Sequence, residues 1–340
     1  MPTYGPIGYD LDLESPGKRI ANVHLTHSDN QHAMSIVPIP MAVISSGEGP
    51  TVLLCAGTHG NEYEGQVILR ELVRELNPDS INGRVIVMPS LNMPAVREDT
   101  RVSPLDGSNL NRVFPGGPKQ GPTAAIAGFI AELILPLCDA GIDIHTGGNT
   151  TTFAPLVFLC RCDDDEVFAQ SAALARAFGA PWTYLVTGVQ DEGGFDPCAQ
   201  SQGVKFISTE LGGGARLGRN SLSIGRRGVR NMLTHLGVME SDDHSGDEPN
   251  TRYLSDQGPS GSLISENSGF LETLLEPGTK VAKGDVVARV HPLENGFEPS
   301  VTLHAPRDGV IVAQRTKVHI KHGDIVLIVA NEIDEDALYL

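Results

Sequence analysis

The order of apolar and polar segments is the feature that most restricts the fold of this chain. Short apolar runs alternate with stretches of helical periodicity, and the runs lie at 52–56, 85–88, 141–144, 157–159, 185–186 and 204–207. Strands that alternate with helices form a sheet with helices packed on its faces. We therefore predict an α/β fold whose functional side chains follow the strands, along the carboxyl edge of the sheet.

A change of composition divides the chain near residue 245. The segment from Glu240 to Gly261 is acidic and polar, which is typical of a linker. Beyond it, short β-rich runs are interrupted by Gly and Pro as far as residue 329. We predict a larger α/β domain at 1–245 and a smaller all-β domain at 246–340.

Charge and composition exclude several classes of protein. Among 340 residues, 42 are acidic and 25 are basic, which gives a formal net charge of −17 without any Lys/Arg-rich run. Nucleic acid and anionic membranes are therefore not expected as partners. No apolar stretch is long enough to cross a bilayer, and the five scattered cysteines favour a reducing compartment. We expect a cytoplasmic protein, and the sequence leaves a homo-oligomer open.

A glycine-rich loop after the first apolar run carries a candidate metal motif, His59-x-x-Glu62. Imidazole and carboxylate both bind Zn²⁺, although the same spacing also occurs on solvated helix faces. His145 follows another predicted strand, so it lies at the same edge of the sheet. Catalytic zinc sites commonly have two ligands that are close in sequence and a third that is far along the chain, and they leave one position at the metal for water. The sequence predicts one Zn²⁺ per chain, and the same donors accept Co²⁺ or Mn²⁺.

Two carboxylates are placed to assist such a metal. Asp143 shares a strand face with His145 and is placed to orient its imidazole, although a surface carboxylate is an equally good interpretation. Glu210 ends a predicted strand and precedes three glycines that leave room for a ligand. We predict that Glu210 is the general base. Without a metal, a helix cap or a buried ion pair would be the better interpretation of this residue.

A long loop at 101–116 places arginines near the predicted metal. A guanidinium binds a carboxylate with two hydrogen bonds, which suits the carboxylate of an amino-acid substrate. A second guanidinium can stabilise the oxyanion that forms when water attacks an amide carbonyl. Surface ion pairing is the alternative interpretation of these arginines.

Five positions in order, His59-x-x-Glu62, Asn111-Arg112, His145 and Glu210, resemble the succinylglutamate desuccinylase and aspartoacylase family. This resemblance implies a mixed sheet flanked by helices, as in zinc carboxypeptidases, and hydrolysis of the amide bond of a small N-acyl amino acid. It also implies the role of each residue. The zinc ligands would be His59, Glu62 and His145, the base Glu210, the oxyanion contact Arg101, and the α-carboxylate clamp Asn111 with Arg112.

The C-terminal part resembles the barrel-sandwich fold of lipoyl and biotinyl carrier domains. The resemblance rests on Glu276-Pro277-Gly278 and on Ala305-Pro306-Arg307-Asp308-Gly309. Those carriers present a modifiable lysine on a hairpin midway along the domain. The corresponding region here, from Pro292 to Val301, contains no lysine. We therefore expect a barrel-sandwich-like cap or assembly element rather than a carrier.

One departure from the family concerns the substrate side chain. Aspartoacylase-like members hold a second carboxylate with an arginine shortly before the base, whereas the segment 181–209 has no arginine and contains Asp191, Glu192 and Asp196. A cationic or neutral side chain therefore fits better. The segments 109–112, 208–214 and 227–231 are most similar to those of members that deacetylate Nα-acetyl-L-2,4-diaminobutyrate. Asp196 is the predicted ammonium partner, although each of these acids could equally face water.

Two other functions compete with this interpretation. A metallocarboxypeptidase that acts on peptides would need an open cleft, which a capping β domain would close. A scaffold or carrier built on the C-terminal part would not need the complete set of ligands and base. We therefore expect a hydrolase of small amides.

Overall fold

The computed structural model describes residues 2–28, 33–187, 193–240, 251–256, 260–294 and 297–339. Within them the chain forms six α-helices, namely α1 Glu64–Glu75, α2 Met93–Arg97, α3 Pro122–Phe129, α4 Asp165–Phe178, α5 Phe195–Gln200 and α6 Arg219–His235. The strands of the first 240 residues are β1 Thr3–Tyr4, β2 Ile7–Gly8, β3 Gly17–His27, β4 Ser35–Ser45, β5 Thr51–Ala56, β6 Arg84–Met88, β7 Ala140–His145, β8 Thr151–Phe153, β9 Leu156–Cys160, β10 Trp182–Val186 and β11 Lys205–Glu210. The later strands are β12 Arg252–Ser255, β13 Ser262–Ile264, β14 Gly269–Thr273, β15 Lys280–Val281, β16 Val286–Pro292, β17 Val301–His304, β18 Gly309–Arg315, β19 His319–Ile320 and β20 Ile325–Ile333.

The strands form one large mixed sheet and one small antiparallel sheet, which confirms the predicted fold class. The large sheet has the order β1-β2-β3-β4-β6-β5-β7-β11-β9-β10-β12-β20-β18-β15, with β13 beside β20 and β8 beside β18. Its centre is parallel, because β5 pairs with β6 and β7, and β7 pairs with β11. The small sheet has the order β17-β16-β14-β19 and belongs to the C-terminal part.

Helix α1 packs directly on the centre of the large sheet. Its buried face contains Ile68, Leu69 and Leu72, which recur at helical spacing. A Cβ atom on Gly65 would lie 2.7 Å from Cβ of Ile144 and 2.8 Å from Cβ of Ala56. Because glycine allows this close approach, the loop before α1 lies against the ends of β5 and β7.

Part of the segment that was expected to be a linker forms a strand. Arg252–Ser255 forms β12, which is parallel to β10 and antiparallel to β20. The strand escaped prediction because only Tyr253 and Leu254 are apolar in a polar segment. Residues 241–250 and 257–259 lie outside the described part, so the domain boundary at residue 245 stays a prediction.

Two further elements differ from the sequence patterns. The long hairpin of β3 and β4 has no counterpart in the predicted elements. The apolar segment after Gly121 forms an α-helix only as far as Phe129, and it continues as a π-helical turn at Ile130–Ile134 and a 3₁₀ turn at Leu135–Leu137, around Pro136. Proline lacks the amide hydrogen that an α-helix needs, which accounts for the tight turn.

The C-terminal strands continue the large sheet. Strand β18 pairs with β8 in antiparallel register, so that Ala313 lies opposite Phe153 and Gln314 opposite Thr152. A separate apolar core, which includes Val287, Val290 and Val326, lies between the C-terminal strands. Among the described residues, no helix has the length and apolar character needed to span a membrane.

Candidate active site

Three predicted metal ligands come together at the carboxyl ends of two neighbouring strands. His59 and Glu62 lie on the loop between β5 and α1, and His145 is the last residue of β7. All three side chains are buried, with exposed fractions of 2–5%. One donor atom from each lies within 4.8 Å of the others. The structure therefore assembles the group that the sequence predicts.

The two imidazole rings present the same nitrogen to Glu62. Nδ1 of His59 lies 2.7 Å from Oε1 of Glu62, and Nδ1 of His145 lies 2.8 Å from Oε2. The opposite nitrogens face other acceptors, since Nε2 of His145 lies 2.7 Å from Oδ2 of Asp143 and Nε2 of His59 lies 3.1 Å from Oδ1 of Asn109. A neutral ring that keeps its proton on Nε2 aims the Nδ1 lone pair at a carboxylate. Burial lowers the pKa of His145, but Asp143 and Glu62 outweigh burial and raise it well above its ordinary value. Without metal, a proton on Nδ1 therefore bridges this ring to Glu62, and Zn²⁺ in its place would take one donor atom from each of the three side chains.

The surroundings keep Glu62 ionised and fixed. Burial alone would raise the pKa of Glu62, but His145 and His59 outweigh burial and hold the pKa below its ordinary value. The backbone N–H of Thr146 donates to Oε2 at 3.1 Å. The Thr58 hydroxyl donates to Asp143 at 2.7 Å and so supports the second contact of His145. A metal ligand must be deprotonated, and Glu62 meets this requirement at neutral pH.

Glu210 stands beside the metal group. It is the last residue of β11 and lies opposite His145 in the parallel register of β7 and β11. Burial raises the pKa of Glu210 to about 8, and the neighbouring Glu62 carboxylate contributes to the increase. Its Oε2 has no hydrogen-bond partner among the described residues. A carboxyl group with a pKa in this range exchanges protons readily near neutral pH.

A cavity of about 360 Å³ opens onto this group. Glu210 and Arg101 both line it, and Nη1 of Arg101 lies 3.4 Å from Oε1 of Glu62. The turn at 146–151 lines the cavity together with 313–315 and 325–328 of the C-terminal strands. Both parts of the chain therefore enclose the cavity, whose volume suits a small molecule.

The predicted clamp residues lie beside this cavity rather than among the residues that line it. Oδ1 of Asn111 accepts a hydrogen bond from the backbone of Phe195 at 2.8 Å. Arg112 is exposed, and its Nη1 donates to the Asn111 carbonyl at 2.6 Å. Both residues connect to the metal group through Asn109, because Oδ1 of Asn109 faces His59 and accepts from the N–H of Asn111 at 3.0 Å.

Asp196 is buried and bonded to a neighbour. The Ser208 hydroxyl lies 2.8 and 2.7 Å from its two oxygens. Burial raises the pKa of Asp196 to about 6, against the opposite effect of the Ser208 hydrogen bond. Asp196 is not among the residues that line the 360 Å³ cavity. Asp191 and Glu192 lie outside the described residues, and the role of Asp196 as the ammonium partner stays a prediction.

We expect Asp196→Asn to stabilise the metal-free protein by about 1–3 kcal/mol near pH 7. In the folded protein Asp196 holds its proton up to pH about 6, whereas an unfolded aspartate loses it near pH 4. The free energy of unfolding of the wild type therefore decreases as the pH rises between these two values. The Asp196→Asn variant has no carboxyl group at this position and does not show this decrease. Urea unfolding of both proteins at pH about 4 and about 7 measures the effect. A difference that is the same at both pH values would contradict it.

Several side chains around the site have no role in the sequence analysis. Asn109 and Thr58 support the ligands, and Asn61 and Gln314 line the cavity. Asn109 stands in the same short segment as the predicted clamp, but a single asparagine gives no signal for contact with an imidazole. Tyr63 reaches the cavity wall, where its hydroxyl donates to Oδ1 of Asn149 at 2.9 Å.

Comparison with known proteins supports this arrangement. Residues 48–236 match the family model described as the succinylglutamate desuccinylase/aspartoacylase catalytic domain. The chain belongs to this family. The resemblance drawn from the sequence is thereby confirmed, and the protein is a hydrolase of the succinylglutamate desuccinylase/aspartoacylase family.

Individual relatives cover almost the whole chain. The N-alpha-acetyl-L-2,4-diaminobutyric acid deacetylase of Halomonas elongata is 37% identical over 329 residues, which is 97% of this chain and 96% of that protein. The product-bound ectoine utilization protein EutE (DoeB) from Ruegeria pomeroyi is 35% identical, with a TM-score of 0.91 over 97% of this chain and 100% of that chain. A succinylglutamate desuccinylase/aspartoacylase from Rhodobacter sphaeroides is 33% identical, with a TM-score of 0.89 over 96% of this chain and 100% of that chain. The likeness to these family members includes the C-terminal strands.

Proposed function

We propose that this enzyme removes the acetyl group from Nα-acetyl-L-2,4-diaminobutyrate, with one Zn²⁺ held by His59, Glu62 and His145. The observation that carries the proposal is the convergence of both Nδ1 atoms on the Glu62 carboxylate, beside a cavity that Glu210 and Arg101 line. The name of the Halomonas elongata relative supports this substrate.

Glu210 would serve as the proton carrier of the hydrolysis. When bound, Zn²⁺ supplies Lewis-acid polarisation of the amide carbonyl and increases the acidity of water. A Glu210 oxygen accepts the proton of the attacking water and then delivers it to the departing nitrogen, so that the amine leaves neutral. The raised pKa of Glu210, about 8, suits both halves of this transfer.

The arginines would hold the negative charges of the substrate. Arg101 lines the cavity next to Glu62, where it can donate to the oxyanion that develops on the carbonyl oxygen. Arg112 is exposed beside Asn111, on the loop that reaches His59 through Asn109. We assign Arg112 and Asn111 to the α-carboxylate because a guanidinium can bind a carboxylate with two parallel hydrogen bonds.

The enclosure of the cavity disfavours a peptide substrate. Strands β18 and β20 line the cavity together with the turn at 146–151, and the pairing of β18 with β8 fixes their position. These strands limit the space for a chain that extends beyond the cavity. The geometry therefore supports a small N-acyl amino acid over the metallocarboxypeptidase alternative.

Release of acetate from Nα-acetyl-L-2,4-diaminobutyrate tests the proposal. We expect zinc-loaded enzyme to hydrolyse this compound with a higher kcat/KM than acetylaspartate or succinylglutamate, since Arg101 and Arg112 are assigned to the oxyanion and the α-carboxylate and no further predicted site residue offers a guanidinium for a second carboxylate. Acetylornithine, whose ammonium lies one methylene farther out, tests the preferred length of the side chain. Acetate can be measured by a coupled enzymatic assay, with a chelated sample as control.

Each outcome of this assay has a distinct meaning. Preferential turnover of a dicarboxylate would retain the hydrolase chemistry and refute the substrate. Turnover that survives full removal of the metal would refute the zinc mechanism.

A further inference from the structure

We propose that Gln314, a residue of the C-terminal strand β18, binds the side-chain ammonium of the substrate and thereby selects a cationic amino acid. This inference rests on the proposed function for the identity of the substrate. It concerns a residue far along the chain from the metal ligands and from the predicted clamp.

The position of Gln314 is fixed by strand pairing. Gln314 lies opposite Thr152 of β8, and Thr152 also forms a bridge with Gly213, shortly after Glu210. Gln314 lines the cavity that Glu210 and Arg101 also line. The backbone of two neighbouring strands thus carries this amide to the wall of the active site.

Gln314 is a buried residue whose amide oxygen has no hydrogen-bond partner among the described residues. Only 6% of the residue is exposed. Burial of an unpaired amide oxygen costs folding free energy, because the oxygen loses its bonds to water. A ligand that donates a hydrogen bond to Oε1 would replace the hydrogen bonds to water that this oxygen loses on folding.

A second amide on the cavity wall shares this property. Asn61 also lines the cavity, and its Oδ1 is buried without a partner among the described residues. It lies against Gly148, where a Cβ atom would be 3.2 Å from its amide group. The wall therefore offers two neutral amides, and rotation of either terminal amide group can direct its oxygen at a donor.

The two guanidinium groups among the described residues of the cavity wall each face a carboxylate of the protein, which offsets their positive charge. A second substrate carboxylate would have to compete with these carboxylates for a guanidinium. Arg101 faces Glu62 at 3.4 Å, and Nη2 of Arg315 lies 3.0 Å from Oδ2 of Asp324 and donates to the His319 carbonyl. Amide oxygens, by contrast, are direct acceptors for an ammonium group.

The test compares two substrates that differ only at the end of the side chain. Nα-acetyl-L-norvaline has a methyl group where Nα-acetyl-L-2,4-diaminobutyrate has its ammonium. For Gln314→Met we expect kcat/KM for the diaminobutyrate compound to fall roughly 10- to 100-fold, with kcat/KM for the norvaline compound unchanged or increased. Gln314→Glu should increase the ratio of kcat/KM for the diaminobutyrate compound to kcat/KM for the norvaline compound. Gln170→Met, on the remote helix α4, is the matched control and should change neither value.

Thermal unfolding separates this role from a structural one. Because the buried Oε1 of Gln314 makes no hydrogen bond within the described residues, Gln314→Met should keep or raise the Tm of the zinc-loaded enzyme. A lower Tm with equal losses on both substrates would assign Gln314 to packing and overturn the proposal. Unchanged selectivity would overturn it as well.

A binding measurement keeps the proposal testable if the proposed reaction itself fails. Calorimetry should show that the zinc-loaded wild type binds L-2,4-diaminobutyrate more tightly than L-norvaline, and that Gln314→Met removes the difference. This preference without turnover of the acetylated compounds would refute the proposed function and retain the ammonium site. Turnover of the diaminobutyrate compound with no loss of preference in Gln314→Met would refute the ammonium site alone.

Discussion

Glu210→Gln should reduce kcat for acetate release by roughly 100- to 10,000-fold while the zinc content per chain stays unchanged. Gln has the same shape but neither accepts a proton from water nor delivers one to the departing nitrogen. Glu210 lies beside the three ligands without belonging to their group, so its replacement leaves their donor atoms in place. Steady-state kinetics and metal analysis of the same preparation give both values.

The variant also has a specific consequence for binding. Substrate affinity should change far less than kcat, because the proposed contacts of Glu210 are with water and with the departing nitrogen. Loss of zinc in Glu210→Gln, or a kcat within a few-fold of the wild type, would exclude Glu210 as the base.

Glu62→Gln should have the converse effect and weaken zinc binding by roughly 100-fold or more, with loss of turnover as a result. The Glu62 carboxylate contacts both imidazoles, at 2.7 and 2.8 Å, and it holds the negative charge that a divalent cation requires at the centre of the group. A neutral amide supplies neither the charge nor the second oxygen donor.

The two Glu→Gln variants control for each other. They make the same chemical change at two buried carboxylates of one site, so a general effect of the substitution would appear in both. Competition with a chromophoric chelator measures zinc affinity. Wild-type affinity in Glu62→Gln would contradict the proposed ligand set, whatever its activity.

The central sheet and the metal group are predictable from the sequence because local patterns determine them. His59, Glu62 and His145 each follow a short apolar run, and the carboxyl ends of adjacent parallel strands lie together. The glycines around the first two ligands indicate a tight loop. Pattern and topology therefore suffice to place three side chains within 4.8 Å.

The substrate end of the cavity is not predictable in this way. Gln314 reaches the wall through the pairing of β18 with β8, and no local signal connects two short strands so far apart in sequence. Strand β12 was hidden for a similar reason, since two apolar residues in a polar segment do not indicate a strand. Asp196 is held by a hydrogen bond from the Ser208 hydroxyl. The presence of several acidic residues in the segment 181–209 does not predict this contact.

The distance along the chain between β8 and β18 also sets an order of events during synthesis. His59, Glu62, His145 and β11 leave the ribosome well before β18 exists, so the residues of the metal group are present while one side of the cavity is still unformed. Until β18 is made, the edge of β8 lacks its neighbour and is exposed to pairing with other chains. The last strands to be synthesised therefore complete the cavity wall and protect this edge at the same time.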